Sequence, residues 1–372
     1  MHTLRTVAFR LGAVTIGLGI ALMLTEAGIR LLRLHSDTRF VGPHPLYGVF
    51  NIPSAEGWYV KGEVRQYVTI NSRGLHDRDQ WSEGNGVLLV GDSFIAAFQV
   101  PPEASCQEIT ERLLSQAVGR PVEVTAAACN GWGTRNQVAF LQHEAFTYRP
   151  AAVVLALFPD NDLLDNLAPP PAAAPWPPPP HRAAPLLTPD FIRHAVAVSP
   201  VFHALTRHVP PLSRLLRPAS ARAERALVRG LYHVWHATPT EIQNRMWAQL
   251  EDLLIEMRGI VTEHDANLGI LVVPGRLAIY PDEVDRLIRR KPMLARANLN
   301  PALPRSRLAE LLESMELPYL DLLDDFRAAA ASGTDPLFPR EGHWTEDGNR
   351  IAAQGLCRLV LQRHLLEQEP RS

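Results

Sequence analysis

Four short blocks of this 372-residue chain hold residue types that covalent acyl chemistry requires. In VLLVGDSF an apolar run leads straight into Gly91, Asp92 and Ser93. A serine hydroxyl is a useful nucleophile only when a base takes its proton, and Asp92, its immediate neighbour, is poorly placed to reach back. The block AAACNGWGTRNQ sets glycines in a tight turn, where backbone N–H groups can come close to a ligand, as an oxyanion site demands. The block ALFPDNDLLDN offers Asn161, whose amide can donate to an oxyanion, and Asp162, which can tie the loop by accepting backbone N–H groups. In FPREGHWTEDGNRIAA, His343 stands just before a helix whose N-cap is Thr345. It is the candidate base, and Glu341 two residues earlier can orient its ring by accepting Nδ1–H. Each block also has a bland reading: a capped helix start, an ordinary strand-to-helix turn, an Asx turn, a structural histidine.

What joins the four blocks is the elements that must carry them. Val87 to Gly91 reads as a buried strand, Gln107 to Val118 as an amphipathic helix, VEVTAA as a second strand, Arg135 to Phe146 as a helix and AVVLAL as a third strand. The alternation resumes with a long helix near Glu241 to His264, the strand LGILVVP, a helix after Pro281, the short strand PYLDL and a last helix from Thr345 to about Leu366. Strands alternating with helices predict a parallel sheet covered on both faces, an α/β architecture. Functional groups then gather beyond the carboxyl ends of the strands. Three of the four blocks fall there, and the fourth precedes the last helix.

This combination resembles the SGNH (GDSL-like) hydrolase family. The resemblance implies a flavodoxin-like three-layer α/β domain with a parallel sheet. It also implies Ser93 as nucleophile, His343 as base, and an oxyanion hole built from the Ser93 N–H, Gly131 in NGWGT and Asn161 in PDND. INSRGLHDRD (Ile70 to Asp79), VVPGRLAIYP and HWTEDG look like segments of the membrane-anchored bacterial branch that acts on cell-surface polysaccharides. The sequence departs from the family in three places. Glu341 and Arg340 stand where an Asp usually precedes the histidine, with Asp335 as the alternative acid. Pro159 and Asp160 occupy the place of a glycine ahead of Asn161, and Asp160 brings a negative charge near the oxyanion site. In the second block Ala128 is an alternative donor to Gly131.

The remaining chain sets the context. Residues 1–34 begin with a basic start and the uncharged run LGAVTIGLGIALMLT, which reads as an uncleaved signal anchor, a transmembrane helix, in preference to a cleaved signal peptide or an amphipathic helix packed on the domain. Charge on both sides leaves the orientation open, and a segment acting as a signal places the rest in the periplasm from the cell inner membrane. Residues 35–82 form a β-rich entry segment, 83–167 the first part of the α/β domain, 168–240 a Pro-rich linker (APPPAAAPWPPPPHRAAP) with a helical cap, and 241–368 the second part. The basic stretch Arg214 to Arg229 reads as a solvated helix face. With 37 basic and 39 acidic residues the formal charge is −2, so no field favours nucleic acid. Cys106, Cys129 and Cys357 have no zinc-like spacing, a disulfide between two of them is open, and no metal or cofactor is expected. The expected partners are an acylated carbohydrate or other ester, the membrane and the envelope polysaccharide machinery. The reading is serine-dependent hydrolysis of an O-acyl ester, acetyl above all, on an envelope glycan. An O-acyltransferase using the same residues and a catalytically silent binding protein of the same fold are the alternatives. Absence of GxSxG, HExxH and Walker A motifs sets aside the α/β-hydrolase, zincin and P-loop classes.

Overall fold

The structure is a computed structural model describing residues 2–31, 40–79, 85–167, 176, 230, 232–339 and 341–367. The proline-rich stretch, the helical cap up to residue 229 and the basic stretch lie outside these, Trp176 excepted. The chain divides into two compact units, Met1–Asp37 with Pro180–Arg225, and Thr38–Pro179 with Ala226–Ser372.

Of the first unit, α1 (His2–Leu31) is described. Phe9, Val14, Ile16, Leu18, Met23 and Leu24 are exposed along it. Among the described residues no helix is long and apolar enough to cross a membrane. The membrane crossing expected of residues 1–34 is therefore not seen. The uncharged run is short against the roughly 20 apolar residues that a bilayer needs, and glycines and threonines dilute it.

The second unit opens with two antiparallel hairpins, β1 (Val41–His44) with β2 (Gly48–Asn51) and β3 (Glu56–Lys61) with β4 (Val64–Thr69). The α/β pattern follows: β5 (Val87–Gly91), α2 (Ser93–Ala96), α3 (Cys106–Val118), β6 (Val124–Ala128), α4 (Thr134–His143), β7 (Ala152–Leu157) and α5 (Pro159–Asp165). After the undescribed segment come α6 (Glu241–Glu263), β8 (Asn267–Val272), α7 (Arg276–Ile279), α8 (Pro281–Arg290), α9 (Pro292–Ala295), α10 (Leu303–Ser314), β9 (Tyr319–Asp321), α11 (Leu323–Ala331) and α12 (Glu346–Gln362). The five strands β5 to β9 pair in parallel in the order β6-β5-β7-β8-β9.

Strands buried on both faces read as continuous apolar runs, and β5, β6 and β7 are buried at every position. Leu88, Val90, Val153 and Leu155 face one core with Val138 and Leu141 of α4 and Met246 and Leu250 of α6. Val87, Leu89, Ala152 and Val154 face the other with Leu114 of α3 and Leu356 and Leu359 of α12. That is the three-layer α/β arrangement. Some expected boundaries move. The helix expected to run to Phe146 ends at His143, because the chain leaves helical geometry at Glu144 (φ −136°) and tightens into a 3₁₀ turn over Ala145–Tyr148. The third block enters a helix at once, with Pro159 in its first turn, where a missing N–H costs no hydrogen bond.

Gly91 is required by close approach. A Cβ there would meet Ile95 Cγ1 at 2.4 Å and Cβ at 2.8 Å, so α2 could not sit on the strand that delivers it. Gly91→Ala is expected to lower stability by about 1–3 kcal/mol, as overpacking does, and to displace Ser93. Urea unfolding and turnover measured on the same sample check both effects; unchanged values in both would refute the packing argument.

Candidate active site

At the carboxyl edge of the sheet β5 ends at Gly91, and the chain turns through Asp92 into α2. The Asp92 carboxylate accepts the Phe94 N–H at 2.9 Å, which caps α2 and fixes the turn. Asp92, not Ser93, is therefore the capping residue. Ser93 sits in the first turn of α2, partly exposed, and its Oγ lies 2.7 Å from Nε2 of His343.

His343 reaches Ser93 from a pinned loop. Phe338 N–H donates to the His343 carbonyl at 2.9 Å, Leu337 bridges Trp344, and Thr345 N–H donates to the Pro336 carbonyl. The Thr345 hydroxyl accepts Gly348 N–H at 3.2 Å and caps α12. Trp344 is fully buried. Gly342 has φ +93°, a conformation that favours glycine, and this turn folds Glu341 back on the histidine. Glu341 Oε1 lies 2.7 Å from His343 Nδ1, and Oε2 accepts the His343 N–H at 2.8 Å. Pairing with a carboxylate assigns the proton to Nδ1 and leaves Nε2 to accept the Ser93 hydroxyl. The alternative acid, Asp335, is engaged elsewhere: its Oδ1 accepts Tyr280 OH at 2.6 Å and Leu337 N–H at 3.3 Å.

Glu341 is buried and carries two further donors that the sequence reading did not include, Tyr59 OH at 2.8 Å and Lys61 Nζ at 3.0 Å, both on Oε1. They come from β3, 282 and 280 positions away along the chain. The one local signal was strand alternation in EGWYVK, which puts Tyr59 and Lys61 on one face. Burial opposes ionisation of Glu341, but the hydrogen bond and charge of His343, the Lys61 charge and the His343 N–H outweigh it and hold the carboxyl at about 2.

The oxyanion candidates stand on the strands flanking β5. Ala128, the last residue of β6, is buried and paired with Gly91. Gly131 follows in an exposed turn with φ +88°, where a Cβ would meet no atom. Trp132 anchors this turn, donating Nε1–H to the Val49 carbonyl at 2.7 Å and stacking on Phe50. Asn161 follows β7 and places Nδ2 at 3.4 Å from Asp92 Oδ2, a long, easily surrendered contact. Asp162 accepts the Phe158 N–H at 3.0 Å and so ties the loop. Burial, reinforced by the Asp92 charge, keeps the Asp162 carboxyl well above the ordinary range. Burial also lifts Asp160 to about 6, against the pull of Arg305.

Among the described residues the cysteines are free. Cys106 and Cys129 are buried, and burial pushes Cys106 up to about 12. No disulfide joins them.

Residues 231–372 match the family model described as the SGNH hydrolase-like domain of the acetyltransferase AlgX. No curated protein matches the chain. Among solved structures, a catalytic mutant of an acetylxylan esterase from Geobacillus stearothermophilus is 13% identical, with 80% of this chain and 100% of that one covered, at a TM-score of 0.40. A lipase/acylhydrolase from Enterococcus faecalis is 14% identical, covering 77% and 99%, at 0.36. The acetyl xylan esterase AlAXEase is 13% identical, covering 74% and 99%, at 0.41.

The Glu341 carboxyl is held below its ordinary range, so the stability it contributes is present above about 4.5 and is lost as the pH falls toward about 2. Glu341→Gln is expected to be less stable than the parent in urea at pH 7, with the gap closing as the pH falls below about 4.5. Turnover is expected to fall by on the order of 10² to 10⁴ in Glu341→Gln and by less than about tenfold in Asp335→Asn. A crippled Asp335→Asn beside an active Glu341→Gln would reverse the assignment. The family match spans Glu341 and His343, so residues 231–372 are similar to an SGNH hydrolase-like domain, and the parallel sheet delivers Ser93 to that pair.

Proposed function

We propose that this chain cleaves an O-acyl ester, acetyl in the first instance, on a cell-envelope glycan through an acyl-Ser93 intermediate. The observation that carries the proposal is the continuous run of short hydrogen bonds from Ser93 Oγ through the His343 ring to Glu341, 2.7 Å at each step. His343 Nε2 takes the hydroxyl proton as Ser93 Oγ bonds to the ester carbonyl carbon. The oxyanion is held by the Ser93 N–H, Gly131 N–H and Asn161 Nδ2, which exchanges its long contact with Asp92 for the substrate. The protonated imidazole then gives its proton to the leaving sugar oxygen as the C–O bond breaks. Water, or a second hydroxyl, attacks acyl-Ser93 with His343 again as base, and serine leaves with its proton restored.

Acetyl as the acyl group is supported by the acetyltransferase named in the matched family description. The same description favours a second reading, transfer of the acetyl group to a glycan hydroxyl in place of water. The envelope setting is supported by α1, whose exposed Phe9, Ile16, Leu18 and Leu24 call for an apolar surrounding. In this reading α1 holds the chain at the inner membrane and the α/β domain works in the periplasm.

Wild-type protein is expected to be labelled by a fluorophosphonate probe and to release acetate from an acetylated glycan, and Ser93→Ala to do neither while unfolding at the same urea concentration. Ester turnover unchanged in Ser93→Ala would sink the mechanism, and an unlabelled wild type would leave a silent binding fold. Loss of free acetate with gain of acetylated acceptor, when an acceptor glycan is added, separates transfer from hydrolysis. Alkaline phosphatase fused after Asp79 is expected to be active in an envelope-bearing host; an inactive, stable fusion would contradict export.

A further inference from the structure

We propose that Tyr59 and Lys61 are positioning residues for the Glu341–His343 pair, so that the β3–β4 hairpin of the entry segment is a working part of the active site. The inference rests on the acyl-transfer reading and extends it to residues outside the Ser–His–acid run.

The geometry is specific. One oxygen, Glu341 Oε1, receives His343 Nδ1 at 2.7 Å, Tyr59 OH at 2.8 Å and Lys61 Nζ at 3.0 Å. Among the described residues the other, Oε2, receives the backbone N–H of His343. Glutamate has one more rotatable bond than aspartate, and holding it in a single rotamer opposes side-chain entropy. Without the hairpin, Glu341 would be held only by the histidine that it is meant to hold. Tyr59 and Lys61 supply an independent anchor from the other side. Tyr59 is itself fixed, its ring packed edge-on to Phe98 at 5.9 Å. The Glu341 side chain is fully buried, whereas that of Lys61 is half exposed. The ammonium therefore links a buried carboxylate to a side chain that reaches solvent.

The anchor also sets the charge at the base. The ionisable groups around the imidazole are Glu341 on its own loop, Ser93 and Asp92 from the β5–α2 turn, and Tyr59 and Lys61 from β3. Burial raises the Tyr59 hydroxyl, and the Glu341 charge raises it further, so Tyr59 remains a neutral donor. Among the described residues Lys61 is the one cation in this set, and it shares Glu341 Oε1 with the ring. Removing it leaves two carboxyl groups facing the ring with no positive charge beside them, and uncompensated negative charge favours a neighbouring cation.

Kinetics on the full chain against an activated acetyl ester test this. In Tyr59→Phe, kcat is expected to fall roughly five- to thirtyfold, the loss of one hydrogen bond to a charged group, with KM within about twofold and fluorophosphonate labelling slowed by the same factor. In Lys61→Met the acid limb of kcat/KM is expected to move up by on the order of half a pH unit, the modest size reflecting a half-exposed cation. Lys61→Arg, which keeps the charge, is expected to bring the limb back. Shortening the acid in Glu341→Asp withdraws it from the hairpin, so adding Tyr59→Phe to Glu341→Asp is expected to lose little more, a non-additivity that a purely structural tyrosine would not produce. An inactive Ser93→Ala beside Tyr59→Phe and Lys61→Met with wild-type kcat and pH profile overturns this inference and leaves acyl transfer standing. An active Ser93→Ala overturns acyl transfer itself. Full additivity of Tyr59→Phe with Glu341→Asp, or a Lys61→Met limb that does not move, also counts against the positioning role.

Discussion

A carboxylate taken out of water has to find its hydrogen bonds in the protein or take up a proton, and the arrangement of this site follows from how Glu341 meets that condition. Its two oxygens receive the ring and the backbone N–H of His343, the Tyr59 hydroxyl and the Lys61 ammonium. With those donors the group stays ionised although buried, and an ionised Glu341 fixes which nitrogen of His343 is protonated and which faces Ser93. Removing the donors from β3 would leave the acid with one partner, the histidine, and the serine with a base of uncertain orientation. The positive φ of Gly342, the bridge between Leu337 and Trp344 and the Thr345 cap all hold the loop that presents this carboxylate.

The sheet meets a second requirement by geometry. Parallel strands place all their carboxyl ends on one edge, and the order β6-β5-β7 puts the strand that leads to Ser93 between the strands that lead to Gly131 and Asn161. The two hairpins ahead of the sheet then support opposite sides of that edge. β2 holds the Gly131 turn through Trp132 and the Val49 carbonyl, and Asn51 donates to the Ala128 carbonyl at 2.9 Å. β3 holds Glu341. Burial raises the acids beneath the edge, Asp162 well above the ordinary carboxyl range and Asp160 to about 6.

What the sequence by itself determined is the local part. Apolar runs such as VLLVG and AVVLAL are strands buried on both faces, because a residue run without polar alternation has no face to give to water. The strand-end blocks carry Ser93, Gly131 and Asn161, and Glu341 can fold back to His343 over two residues because Gly342 tolerates a positive φ. Each of these depends on neighbours within a few positions. What only the tertiary structure decided is long-range pairing. Whether Glu341 or Asp335 meets the ring turned on Tyr280, which draws Asp335 away. That Asp160 is lifted to about 6 turned on its burial, against the pull of Arg305 far along the chain. Tyr59 and Lys61 reach Glu341 only because a hairpin folds across the end of the sheet, and strand alternation in EGWYVK says which face they share but not what that face meets. A hydrogen bond between residues 282 positions apart leaves no periodicity in the chain, since it is set by the packing of whole layers and not by the spacing of residues within one.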